Sequence, residues 1–270
     1  MKRNKLCCAA VLLALALTAC GPTPAGEETP APAPLPTAPP VETPAPETPV
    51  PAPVPQPWAW GEQTVSRTFT AGDGTVVMRI SYVLPSVHVG PAGSNPAGEA
   101  VNAWYEAEGK ARLREAEEAY EMAVADYEVS SAMGYAFEPT TQEMSSQVTY
   151  EAQGVVSVRR ELYVSFGGAH PFVSCLSEQF DAATGEKLAF ADFFTDTQTV
   201  MERVVCAFAA QDGLAGISEE EILAACQPEN FYLTGDGYVF WIQGGSLPAV
   251  NSPIEAVIPF DQMSDVRAHG

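Results

Sequence analysis

Bases are scarce in this chain and histidines scarcer still: 13 Lys and Arg stand against 34 Asp and Glu, with three His in 270 residues. Three of the bases, Lys2, Arg3 and Lys5, precede the first apolar run, and four of the acids, Glu27, Glu28, Glu42 and Glu47, lie in a proline-rich stretch. From Trp58 onward 10 bases face 30 acids, a formal charge of −20. Nucleic acid is therefore an unsuitable partner, because binding it rests on neutralising phosphates with Lys and Arg. Cationic partners, in contrast, are attracted over a Debye length of about 8 Å.

The shortage of histidine and cysteine removes several chemistries. His88, His170 and His269 stand far apart, with no HExxH and no CxxC pair, so no metal site is expected. Asp181 to Glu186 lacks the alternating oxygen ligands of a calcium loop, and no GxSxG marks a serine nucleophile. Cys175 and His170 are the best nucleophile and base. Five residues of extended chain separate them by about 16 Å, beyond hydrogen-bond reach. Carboxylates abound, so counting does not exclude a glycosidase pair, but no pair is singled out by an apolar setting that would raise a pKa. No catalytic residue and no cofactor is expected.

A long apolar run is also missing. The run from Leu6 to Leu17 has 12 residues, whereas a spanning helix needs roughly 20. Basic flank, apolar middle and Thr18-Ala19-Cys20-Gly21 follow in the order of a secretion signal. Leu17-Thr18-Ala19-Cys20 resembles the bacterial lipobox, and the resemblance implies lipidation of the Cys20 sulfur and cleavage before it. Residues 1–19 are then a lipoprotein signal peptide. The expected location is the outer face of the bacterial cytoplasmic membrane, where the chain is anchored to lipid without spanning it. Residues 20–57 form the anchor and a linker: Pro22 to Pro57 hold 15 of the 24 prolines, a composition of extended polyproline II reaching at most roughly 110 Å.

Cys7 and Cys8 leave with the signal, so the folded part keeps Cys175, Cys206 and Cys226. An odd number leaves at least one thiol free or paired between chains. Cys206 and Cys226 fall on successive helix-like segments and could bridge, but both lie among apolar neighbours, where free cysteine packs as a small hydrophobe.

From Trp58 the pattern is α+β. Thr64–Thr70 and Thr75–Val83 form a hairpin across Ala71-Gly72-Asp73-Gly74. Asn95 caps, and Pro96 opens, a long amphipathic helix running to about Ser131. Leu113, Ala116, Tyr120, Ala123 and Tyr127 share its apolar face, and Glu106–Lys110 and Glu108–Arg112 are expected as exposed i,i+4 pairs. Strands are expected at 135–137, 146–152, 155–166 and 172–181. Val156, Val158, Leu162, Val164 and Phe166 share a face, with Arg160 intruding, and Phe172, Leu176 and Phe180 do so on the next strand. Two shorter helices, 197–211 and 218–226, a hairpin from Phe231 to Ile242 and a strand from Glu255 complete an antiparallel sheet architecture.

Several motifs within this order resemble a known module. They are the first hairpin with Pro85, the Glu-rich helix, Gly167-Gly168-Ala169-His170, Phe180-Asp181-Ala182-Ala183-Thr184-Gly185-Glu186 leading to Asp192-Phe193-Phe194, and Phe231 to Phe240 around Gly235-Asp236-Gly237. Together they are similar to the paired extracellular module of the lysozyme-sensing anti-sigma factor RsiV and of the peptidoglycan deacetylase PdaC, over about residues 62 to 262. The resemblance implies a PdaC-like half at 58–145 and an RsiV-like half at 146–270. It also implies a receptor role, with lysozyme or another cationic envelope or host protein as partner. The chain departs from those proteins in lacking a sigma-binding segment and a deacetylase domain, so neither activity is implied. Gly244-Gly245-Ser246-Leu247-Pro248 replaces an expected aromatic and Pro-rich stretch. A structural envelope lipoprotein without a small ligand is the alternative, and a wall-modifying enzyme a more distant one. The motif most characteristic of the module, Gly167-Gly168-Ala169-His170-Pro171, reads as a shaped connection between two strands and a contact candidate. Its glycines are expected to supply positive φ or a bulge, so Gly168→Val should cost stability, whereas His170→Ala should leave the fold intact.

Overall fold

The alternating Thr64–Thr70 segment does form a strand. In the computed structural model, which describes residues 58–91, 93–168, 171–248 and 250–268, β1 (Trp60–Thr70) pairs antiparallel with β2 (Val76–Val87). Gly74 turns the chain at φ +88°, and its N–H donates to Ala71 O. The long helix α1 (Pro96–Met133) begins as its cap chemistry dictates, with the Asn95 side chain accepting from Gly98 N–H at 2.9 Å. It ends where Gly134 enters the left-handed region at φ +70° and Tyr135 N–H closes back on Ser130 O.

The next strand differs from expectation. Residues 135–137 are irregular, and β3 (Thr140–Ala152) starts three residues later, parallel to β2 with Met78 opposite Thr140. The helix is responsible, since it returns the chain to the end of the sheet where β2 began, as parallel pairing requires. The remaining pairs are antiparallel. β4 (Val155–Ser165), β5 (Phe172–Asp181) and the short β6 (Lys187–Leu188) complete a six-stranded sheet in sequence order. Positions 145 and 146 both lie within β3, so the sheet is continuous between the two sequence halves.

The chain then passes through α2 (Phe190–Phe193), α3 (Thr197–Ala209) and α4 (Glu219–Ala225) into a three-stranded antiparallel sheet, β7 (Phe231–Thr234), β8 (Gly237–Ile242) and β9 (Ile254–Pro259). Asp196 and Ser218 cap α3 and α4, and Ser218 does so in a reciprocal box with Glu221. The fold is α+β, dominated by antiparallel strands. Its three hydrophobic clusters all lie within one compact unit, Ala52–Gly270.

α1 covers one face of the large sheet, and it does so obliquely. Its N-terminal part packs on β5, with Tyr105 and Phe180 at 5.7 Å, and its C-terminal part lies over the first hairpin, with Tyr120 and Phe69 also at 5.7 Å. On the opposite face the small sheet covers β4 and β5, where Cys175, Tyr232, Val239 and Trp241 form a buried cluster. Ser157, fully buried, accepts from Leu233 N–H, and Gln179 Nε2 donates to Phe231 O at 2.8 Å.

Arg160, the polar intruder on β4, is the charged centre of the α1 face. It is 2% exposed and holds Glu178 through Nε at 3.0 Å and Nη2 at 2.5 Å, while Nη1 reaches Glu108 on α1 at 3.1 Å. Burial alone would lower its pKa. The Glu178 carboxylate and its hydrogen bonds override that, so the guanidinium stays charged. Glu108 is thus not part of an exposed pair: it bridges Arg112 and Arg160 in a half-buried seam, and only Glu106–Lys110 lies fully on the surface.

Candidate functional site

The connection between β4 and β5 is the place where core-type residues remain in water. The ladder closes at Val164 opposite Phe172. Phe166 and Phe172 stand at its end with ring centroids 6.0 Å apart, edge to face at 76°, and remain 56% and 64% exposed. Tyr163, on the opposite face, is 36% exposed. Sequence periodicity places Phe166 and Phe172 on the apolar side of their strands; the register agrees for Phe172, opposite Val164, and Phe166 follows just past the end of β4. They are uncovered because α1 has by then crossed to β1 and β2. An exposed aromatic pair with its rings already set in a favourable geometry is a surface ready for contact.

Gly167 shapes this tip. Its φ is +75°, and a Cβ there would stand 3.0 Å from Glu138 Cβ and 3.1 Å from Glu138 O. Gly168 differs from expectation: it is exposed, its φ is not positive and a Cβ would meet nothing within 4 Å. Of the motif, then, Gly167 carries the conformational demand. Pro171 is exposed beside Phe172. Ala169 and His170 lie outside the described residues, as does Cys20.

The same end of the sheet holds further exposed apolar groups. A 38-residue helix is about 57 Å long, whereas a 12-residue strand such as β2 spans about 40 Å. α1 therefore overshoots the sheet, and Val129, Met133 and Tyr135 are more than 60% exposed. Glu138 sits on the approach to β3 directly beside Gly167, so a carboxylate accompanies the aromatic tip.

Nucleophilic chemistry is not supported at this hairpin. Cys175 is 1% exposed, and burial pushes its thiol up to about 12. Its backbone is locked by Gln243, whose Oε1 accepts from Cys175 N–H at 3.0 Å while Nε2 donates to Cys175 O. Cys226 is buried as well, whereas Cys206 is exposed; both are free, with no bridge between them. Among the described residues no three His, Cys, Asp or Glu side chains converge on a metal-sized site. No described helix is long and apolar enough to cross a membrane.

No family model matches the chain, and no curated protein does. Solved structures do. A DUF3298 family member from Bacteroides fragilis is 16% identical, with a TM-score of 0.57 over 78% of this chain and 93% of that one. The fold is that of DUF3298 proteins. A second DUF3298 protein, from Pseudomonas aeruginosa, is 14% identical with a TM-score of 0.50, and the match spans 80% of this chain and 96% of that one. The two matches show the fold, and they agree with the α+β class read from the sequence.

Proposed function

We propose that the protein is a lipid-anchored module on the outer face of the cytoplasmic membrane that binds or senses a cationic protein, lysozyme being the first candidate. The observation that carries this reading is the exposed Phe166–Phe172 pair at the end of the β4–β5 ladder. Aromatic residues of this kind anchor protein interfaces, and a folded part of charge −20 steers a cationic partner toward them. The leader, Cys20 and the proline stalk supply anchorage and reach.

Calorimetry of the Ala52–Gly270 unit with lysozyme at low salt tests the partner. Binding that weakens with salt and is lost in a Phe166→Ser, Phe172→Ser double variant is expected. Absence of binding by the unsubstituted unit at low salt removes lysozyme as the ligand. Anchorage is tested separately by fractionation: Cys20→Ser should move the protein out of the membrane fraction.

A further inference from the structure

A second surface lies between α3 and α4. Met201 and Val205 from α3 and Leu223 from α4 floor a groove of about 710 Å³. Met201 and Val205 are 8% and 7% exposed, whereas Leu223 is 50% exposed, so the apolar floor reaches the surface without being covered. Glu202, Glu219 and Glu220 stand along the rim, and none of them forms an ion pair with a described residue. Glu219 and Glu220 have a local purpose, since acids in a first helical turn favour the helix dipole. Glu202 has none, because it lies mid-way along α3 and takes only a hydrogen bond from Gln198. An apolar floor flanked by carboxylates from two helices has the form of a helix-receiving groove.

We infer that this groove docks a cationic amphipathic helix of a partner protein, its apolar stripe on Met201, Val205 and Leu223 and its Lys or Arg residues against Glu202, Glu219 and Glu220. Charge selects the occupant. The Pro22–Pro57 stalk has no basic residue to offer the rim, and a second copy brings a folded part of charge −20 against it. The 13 residues of α3 span about 20 Å, enough for three to four turns of an incoming helix.

The site is independent of the hairpin tip. A 14-residue leucine–lysine peptide with Leu at helical spacing serves as the probe, and the Ala52–Gly270 unit carries an environment-sensitive fluorophore on Cys206. That thiol is exposed one turn beyond Glu202, while Cys175 and Cys226 are buried. Saturable one-to-one binding, with a fluorophore shift and a gain of peptide helicity, is expected. Leu223→Lys should weaken it at least tenfold, and the triple neutralisation Glu202→Gln, Glu219→Gln, Glu220→Gln should do so several-fold. A matched triple on exposed positions of α1, Glu118→Gln, Glu121→Gln and Glu128→Gln, and the Phe166→Ser, Phe172→Ser variant should change affinity less than twofold. Equal loss with the α1 triple would show diffuse charge attraction and overturn the groove. So would a dimer in sedimentation that Leu223→Lys dissociates, because a second copy would then be the occupant.

Discussion

Single residues decide how this fold meets acid and steric change. Asp265 receives Arg203 through two bonds of 2.7 and 2.8 Å, and the guanidinium holds its pKa down to about 2. A depressed folded pKa stabilises above the ordinary carboxylate value of about 3.9 and loses that contribution as pH falls toward the folded value. The difference in melting temperature between wild type and Asp265→Asn should therefore be full at pH 6 and vanish near pH 2 in a thermal-melt series. The glycines separate as sharply. Gly185 has φ +74°, and a Cβ there would lie 2.2 Å from Ala97 O on α1; Gly185→Ala should cost about 2 kcal/mol or more. Gly168→Val, on open space, should stay within about 0.5 kcal/mol. Denaturant unfolding of both variants checks the contrast. The sequence pattern assigned the demand to both Gly167 and Gly168, and only Gly167 carries it, since a Gly-Gly motif does not reveal which member turns and what backbone lies beneath it.

Between elements, α1 is tied to the sheet by charge as well as by apolar contact. Arg160 joins β4 to Glu178 on β5 and Glu108 on α1, and Tyr105 O–H donates to the same Glu178 carboxylate. Removing one member of a buried network strands the others. Arg160→Ala should therefore destabilise by about 3–5 kcal/mol, far more than Lys110→Ala, whose exposed pair with Glu106 contributes about 0.5 kcal/mol or less; paired denaturant curves measure both. The helix itself, its Asn95 cap and its Ala116 and Ala123 stripe were legible in spacing alone. The fate of Glu108 was not. Its i,i+4 relation to Arg112 is local, but Arg160 reaches it only because β4 is the fourth strand of the sheet.

Across the whole molecule, β4 and β5 belong to both layers. Val156 and Val158 face α1, while Ser157 bonds β7 and Arg159 reaches Glu255 on β9 at 3.0 Å. Neither sheet can separate without exposing this shared pair of strands. Ala52–Gly270 should unfold in one transition, with far-ultraviolet and near-ultraviolet circular dichroism melting together; two separated transitions would show the small sheet to be an autonomous unit.

The order of residues by itself determined the α+β class, most of the strands, the helices α1, α3 and α4, and the excess of acid over base. These follow from periodicity, capping and composition, which act within a few residues. Tertiary structure decided the rest: the parallel entry of β3, the buried setting of Glu108, and the two exposed surfaces at the hairpin tip and between α3 and α4. Phe166 and Leu223 lie in the sequence like any core residue. Whether such a side chain meets a neighbour or water depends on the angle at which a distant helix crosses, and that angle is set by packing between segments far apart along the chain.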